Sequence, residues 1–202
     1  MRSDRPASDG GPRPSRRAFL LGLGVVTVPL AAPAPLLRAA TRQAAKKVDT
    51  SAPRALKLYN PNTKEWWKGV YHDGTKLLTR AHDELNWFLR DHHEGVQTGM
   101  DPAAFDLMWR LAERYRRAGH GRVAINVHSA YRTPMTNEKL RSEGAALNSL
   151  HLQGMAVDVS VQSYGIYFLI HHAEAIASGG LGFYRAGFVH LDTGKRRYWF
   201  RR

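Results

Sequence analysis

The chain of 202 residues contains no cysteine. This absence excludes disulfide bonds, zinc ribbons, iron–sulfur clusters held by thiolates and a cysteine nucleophile. A metal bound here must therefore take nitrogen and oxygen ligands, which among the catalytic metals favours zinc. Acidic residues are also scarce, with 17 Asp and Glu against 30 Lys and Arg, so the formal net charge is +13. This balance favours a polyanionic partner such as nucleic acid, anionic lipid or an acidic polymer.

Apolar residues are not scarce. Hydrophobic residues make up 43% of the chain and aromatic residues 10%, which is enough to form a buried core and excludes global disorder. The length predicts a single domain, because domains typically contain about 100–150 residues.

Residues 1–40 resemble a twin-arginine export signal. Arg16 and Arg17 are followed two positions later by Phe19, and an apolar run interrupted by glycine and proline continues to about Leu37. The run is about long enough to span a bilayer, so an uncleaved anchor is the alternative, although three prolines in its second half disfavour a helix. We expect an exported protein of the periplasm or cell envelope, associated with the membrane only if the signal is uncleaved.

The net charge of the chain without residues 1–40 indicates a different partner. Without residues 1–40 the chain loses six Arg and two Asp, and its net charge falls to +9. An exported protein does not meet chromosomal DNA, so an anionic envelope polymer is the expected partner and nucleic acid is not. Residues 41–54 are polar and aperiodic and predict a linker, and residues 55–202 predict one domain.

Hydrophobic periodicity predicts helices and strands in a defined order. The helices are expected at residues 79–91, 102–118, 134–141 and 165–178, and the strands at residues 122–127, 155–161, 182–184, 188–191 and 196–200. Because helices come first and short, hairpin-linked strands follow, the prediction is an α+β fold with a mainly antiparallel sheet flanked by helices.

Two segments of the C-terminal third carry candidate chemistry. In the first, His151 precedes Asp158 by seven residues, with Gly154 between them allowing a close turn. In the second, His190 and Asp192 lie two apart on a strand, so their side chains project from the same face. Two imidazoles and one carboxylate form a three-ligand zinc shell with one position left for water. The alternative is that each is an ordinary structural residue, and Asp-Thr-Gly is also a common turn sequence.

These segments resemble the zinc peptidases of the M15 type, in particular a branch of exported murein endopeptidases. The element S-x-H-x-x-G-x-A-x-D spans Ser149 to Asp158, and the element F-V-H-x-D-T-G spans Phe188 to Gly194. Shorter matches lie at residues 57–60, 85–92, 130–134 and 197–199. The resemblance therefore covers about residues 55–200 and places the zinc site on the sheet.

The resemblance implies a zinc-dependent peptidoglycan endopeptidase that hydrolyses amide bonds in stem-peptide cross-links, with D,D-carboxypeptidase activity as an additional expectation. One Zn²⁺ per domain would be bound by His151, Asp158 and His190. Asp192 would act as the general base beside the metal or orient a ligand. Arg132 would stabilise the oxyanion or hold a substrate carboxylate.

One departure from the wider M15 pattern affects the mechanism. Many of these peptidases carry an acidic base three residues before the last histidine ligand, and Gly187 stands at that position here. The base must then come from elsewhere, and Asp192 is the candidate, with a purely structural turn as its alternative. The missing acid also motivates a second function, a non-catalytic peptidoglycan-binding module with a degenerate or structural zinc site.

Overall fold

The structure is a computed structural model that describes residues 51–201. The predicted signal peptide over residues 1–40 and nearly all of the predicted linker lie outside the described residues. No helix within the described part of the chain is long and apolar enough to cross a membrane.

Seven strands and four α-helices make up the described domain. The strands are β1 (Arg54–Tyr59), β2 (Trp66–His72), β3 (Ile125–Ser129), β4 (Ala156–Val161), β5 (Gly180–Tyr184), β6 (Phe188–Asp192) and β7 (Arg197–Arg201). The α-helices are α1 (Thr79–Phe88), α2 (Pro102–Tyr115), α3 (Pro134–Lys139) and α4 (Ile166–Glu174). A π-helical turn follows α2 at Arg116–His120, and 3₁₀ turns occupy Leu140–Glu143 and Leu150–Gln153.

All seven strands belong to one sheet, in the order β2-β1-β3-β4-β6-β5-β7. The prediction of a single α+β domain is confirmed. The prediction of a mainly antiparallel sheet is wrong, because the sheet is mixed: β1 pairs with β3 in parallel, and β5 pairs with β7 in parallel. The physical reason is that β1 and β3 are joined by a long connection containing α1 and α2, which allows parallel pairing.

The expected order of helices before strands is also wrong, because β1 and β2 precede every helix. Leu56 and Leu58 in β1 are buried and alternate with exposed lysine and half-exposed residues, which is the pattern of a strand with one face on the core. In β2, Trp67 and Tyr71 are buried while Trp66 is exposed, so two of these three aromatic residues pack in the core.

The centre of the sheet is the best-buried part of the fold. Val157 and Val159 of β4 and Val189 and Leu191 of β6 are fully buried. Strands covered on both faces hold their backbone positions tightly, so polar side chains mounted on them are placed with little freedom. Functional side chains on β4 and β6 therefore occupy a rigid platform.

Candidate metal centre

Strands β4 and β6 bring two of the predicted site residues together. Asp158 and His190 are direct partners in the antiparallel register, so their side chains stand on the same face of the sheet. The Nδ1 atom of His190 lies 2.9 Å from Oδ1 of Asp158. Both residues are buried.

His151 reaches the same point from the 3₁₀ turn that precedes β4. Ser149 caps this turn, and Gly154 ends it with a φ of +68°. A Cβ atom on Gly154 would lie 2.9 Å from the carbonyl oxygen of Gly99, which confirms the predicted close turn. The Nε2 atom of His151 lies 3.2 Å from Oδ1 of Asp158 and 3.1 Å from Nδ1 of His190.

The outer nitrogens of the two histidines fix which nitrogens face inward. Nδ1–H of His151 donates to the carbonyl oxygen of Ala130 at 2.5 Å, and Nε2–H of His190 donates to Oδ2 of Asp192 at 2.9 Å. The inner nitrogens therefore present lone pairs, as does Oδ1 of Asp158. Three lone-pair atoms at about 3 Å repel one another unless a cation lies between them. This donor set could hold a metal ion and fits zinc.

The ionisation of the three residues agrees with this interpretation. Burial alone would raise the pKa of Asp158, yet His151 and His190 hold it well below its ordinary value, so Asp158 is a carboxylate. Burial lowers the pKa of His151 and keeps its ring neutral. Burial would also lower the pKa of His190, but the negative charges of Asp158 and Asp192 beside the ring outweigh burial and raise it. A bound metal and a proton therefore compete for His190.

Asp192 lies behind His190, on the side away from the three converging atoms, and is 0% exposed. Its Oδ2 accepts from His190 Nε2 and from Nη2 of Arg197, at 2.9 and 2.6 Å. Its Oδ1 accepts from the backbone N–H groups of Gly180 and Gly194, at 2.8 and 2.9 Å. Burial would raise the pKa of Asp192, but these hydrogen bonds keep it far below its ordinary value. The contacts match the predicted orienting role, and the general-base role stays a prediction that they do not favour.

Gly180, which makes this arrangement fit, was not among the predicted site residues. A Cβ atom on Gly180 would lie 2.3 Å from Oδ2 of Asp192, so any side chain there would displace the carboxylate. The pair Gly179-Gly180 at the start of β5 is the signal that could have indicated a close approach of backbone to a buried group.

Arg132 holds the other oxygen of Asp158. Its Nη2 donates to Asp158 Oδ2 at 2.5 Å, its Nε donates to Ser129 Oγ at 2.7 Å, and its backbone N–H donates to the carbonyl oxygen of His151. Asp158 thus turns Oδ1 toward the metal position and Oδ2 toward arginine. Among the described residues no hydrogen-bond partner faces Nη1 of Arg132.

The loop that carries Arg132 is anchored by Asp91, whose role the sequence analysis did not identify. The buried carboxylate of Asp91 accepts from the backbone N–H and the hydroxyl of Thr133, at 2.8 and 3.0 Å. Burial would raise the pKa of Asp91, but its hydrogen bonds with Thr133 and with the backbone N–H of His93 help to outweigh burial, and the pKa is lowered. The pairing joins the end of α1 to the residue beside Arg132.

The three converging residues open into a groove of about 660 Å³ that Arg132 also lines. One wall is aromatic, with Tyr184, Phe188 and Trp199, and the Trp199 ring lies 5.0 Å from the His190 ring. Residues 143–146 and 148–150 also line the groove. A groove of this size is large enough for part of a peptide.

Comparisons with known proteins give a consistent result. A sequence profile of the family described as "Peptidoglycan L,D-endopeptidase MepK" matches residues 48–199. The peptidoglycan L,D-endopeptidase MepK of Escherichia coli strain K12 is 34% identical over 155 residues, which are 75% of this chain and 83% of the relative. The probable peptidoglycan L,D-endopeptidase MepK of Haemophilus influenzae is 30% identical over 155 residues, covering 75% and 82%. No solved structure matches the chain.

Proposed function

Because the chain belongs to the family of the peptidoglycan L,D-endopeptidase MepK, we propose that it hydrolyses amide bonds in the stem-peptide cross-links of peptidoglycan with one bound zinc ion. The chain is a peptidoglycan endopeptidase of the M15 type. The observation that carries the finer proposal is the convergence of three lone-pair atoms at the floor of a peptide-sized groove.

The ligands of the metal are His151, Asp158 and His190. When bound, a zinc ion in such a site polarises the scissile carbonyl and lowers the pKa of water toward neutrality. His151 is held in the required tautomer by the carbonyl of Ala130, and His190 is held by Asp192. These outer hydrogen bonds fix the ring orientations and increase the basicity of the ligating nitrogens.

Arg132 has two roles in this proposal. Through Nη2 it holds Asp158 in place, and through Nη1 it offers a hydrogen-bond donor to the groove. A cation at this position stabilises the negative charge that develops on the carbonyl oxygen during amide hydrolysis. Arg132 is thus a candidate for both positioning the ligand and stabilising the transition state.

The non-catalytic binding module has no support from the structure of the Gly187 turn. Gly187 has a φ of +93° in the turn between β5 and β6, a backbone conformation that favours glycine over glutamate. The missing acid is therefore accounted for by local turn geometry, and the site retains all three candidate ligands. Membership in a peptidase family is a further argument against the module.

The enzyme assay tests this function directly. Purified protein should contain about one zinc per chain and convert cross-linked muropeptides to monomers, and a chelator should abolish the conversion. If the zinc-loaded protein leaves the cross-linked muropeptides uncleaved and binds tightly to the murein sacculus, the result contradicts the proposal and favours the binding module.

Export is the second part of the proposal. Peptidoglycan lies outside the cytoplasmic membrane, so a peptidase acting on it must cross that membrane, which agrees with the resemblance of residues 1–40 to a twin-arginine signal. Replacing Arg16 and Arg17 together by lysine should retain the protein in the cytoplasm, as measured by cell fractionation. Continued export of that variant would refute the twin-arginine route.

A further inference from the structure

Three arginines line the groove, and two of them already hold carboxylates of the protein. Arg132 is paired with Asp158, and Arg197 is paired with both oxygens of Asp192. The third, Arg201, donates Nη2 to the carbonyl oxygen of Gly144 at 3.0 Å. Among the described residues Arg201 forms no ion pair, so its charge is not already paired with a carboxylate of the protein.

A free carboxylate lies on the same rim. Glu143 is exposed, lines the groove and directly precedes Gly144, the residue that Arg201 contacts. Within residues 51–201 its carboxylate has neither a hydrogen bond nor an ion pair, including none with Arg201. The rim therefore presents one unpaired anion and one unpaired cation, both next to Gly144.

Gly144 makes this juxtaposition sterically feasible. Its φ is +98°, and a Cβ atom there would lie 2.7 Å from Nη1 of Arg201. The glycine lets the guanidinium lie against the backbone of the loop, which places the exposed Arg201 side chain beside the segment that carries Glu143. The match to the family profile ends at residue 199, so Arg201 lies beyond it.

We propose that Glu143 and Arg201 form a subsite that binds the free α-ammonium and α-carboxylate groups of a diamino-acid residue in the stem peptide. The inference rests on the proposed function and specifies its substrate. An ordinary peptide backbone in the groove is neutral, whereas the unlinked end of a diamino acid carries both charges on one carbon. The planar guanidinium of arginine matches a carboxylate with two parallel hydrogen bonds, and Glu143 accepts from the ammonium.

The surroundings suit the rest of that side chain. Tyr184, Phe188 and Phe200 line the groove together with the charged rim. These rings provide apolar contact for the methylene groups that connect the zwitterionic end to the cross-linked centre. The subsite therefore recognises the charged free end of the diamino acid and takes no part in breaking the scissile bond.

The test compares two cross-linked peptide dimers that differ only at the free end of the diamino acid, which carries either an α-carboxylate or an α-carboxamide. The zinc-loaded full-length protein should favour the carboxylate about tenfold in kcat/KM, through KM, as expected for one charge-assisted contact. Arg201→Ala should abolish this preference and leave kcat nearly unchanged. Arg80→Ala removes the same charge from α1, outside the groove, and should leave the preference intact.

A second pair of cross-linked dimers tests the role of Glu143 in the subsite. The two dimers differ only in whether the free amine of the diamino acid is unmodified or acetylated. Wild-type protein should favour the unmodified amine, and Glu143→Gln should remove this preference, whereas Glu138→Gln, an exposed change on α3, should not. Arg201→Lys retains the charge without the planar fork and should recover part of the preference for the carboxylate.

Several results would overturn the inference. Equal cleavage of both dimers by wild-type protein, or an undiminished preference in Arg201→Ala, would do so. If wild-type protein cleaves no dimer, the proposed function fails, and calorimetry with a tripeptide ending in the free diamino acid decides the subsite. Weaker binding to Arg201→Ala than to wild type would then support the subsite, and equal or absent binding would refute it.

Discussion

Two clusters of side chains in this domain each contain a buried histidine, and the two clusters differ in chemistry. The first is the candidate metal centre, formed by His151, Asp158 and His190. The second, the aromatic cluster, packs Tyr115, His120, Tyr164, Phe168 and His172 between α2 and α4, with ring centroids 4.4 to 6.1 Å apart. In the metal centre each ring nitrogen has a polar neighbour. In the aromatic cluster both nitrogens of His172 are buried without a hydrogen-bond partner among the described residues.

The difference shows that the neighbours of a histidine decide what it can do. Around His190, two carboxylates raise the pKa and orient the ring, so one lone pair points at a defined position. Around His172, burial first and then the positive charge of Arg114 lower the pKa to about 4, and the ring packs as a neutral aromatic group. Burial of a histidine alone therefore indicates nothing about metal binding.

We expect the largest effect on zinc content and turnover when a candidate metal ligand is replaced. His190→Ala should lose stoichiometric zinc and reduce turnover of cross-linked muropeptides by about three orders of magnitude or more, because the open coordination site depends on all three ligands. Metal analysis and the muropeptide digest measure both quantities. His171→Ala, which removes an exposed histidine from α4, is the matched control. Stoichiometric zinc in His190→Ala would show that the three atoms are not the metal site.

The sequence predicted which three residues converge better than it predicted the fold around them. His151, Asp158 and His190 lie in short motifs whose spacing survives in the structure, since a tight turn at Gly154 and the pairing of two strands are local features. The parallel pairing of β5 with β7 depends on tertiary packing, and no local pattern encodes it.

The supports of the site were the hardest part to predict for the same reason. Asp192 receives hydrogen bonds from Gly180, Gly194 and Arg197, which reach it from the start of β5, the turn after β6 and the start of β7. The convergence of three chain segments on one carboxylate becomes visible only in the folded molecule. The sequence alone therefore left the general-base and orienting roles of Asp192 open.

A second prediction separates those two roles. If Asp192 orients His190, Asp192→Asn should weaken zinc affinity by about 10- to 100-fold, and excess zinc should restore most of the turnover. Metal titration followed by the digest at saturating zinc measures this. Full zinc occupancy with turnover still reduced by orders of magnitude would instead identify Asp192 as the general base.

A third prediction concerns the arginine that holds the outer oxygen of Asp158. Arg132→Lys keeps the positive charge but cannot contact Ser129, Asp158 and the groove simultaneously, because lysine lacks the planar fork. We expect turnover to fall about tenfold to a hundredfold while zinc remains bound. The control Arg141→Lys alters an exposed arginine that pairs with Glu138. Unchanged turnover in Arg132→Lys would limit Arg132 to a generic electrostatic role.

The smallest expected effect lies in the aromatic cluster and concerns acid stability. The folded-state pKa of His172 lies at about 4, below the ordinary value of 6.5. Between these two pH values the residue is protonated in the unfolded chain but neutral in the folded chain. Stability therefore falls as the pH drops from about 6.5 toward 4, and at pH 5 the loss from this residue is on the order of 1–2 kcal/mol. His172→Phe removes the titration and two unpartnered nitrogens while keeping a planar ring.

Urea unfolding of the zinc-loaded protein at pH 7 and pH 5 measures this effect. The free energy of unfolding should fall less between the two pH values in His172→Phe than in wild type, and zinc content and turnover at pH 7 should be unchanged. The control His93→Ala removes an exposed histidine that lies outside the aromatic cluster. An identical pH dependence in His172→Phe and wild type would mean that His172 takes up its proton in the folded state. The difference between His190 and His172 would then come only from the carboxylates beside His190 and not from the burial of His172.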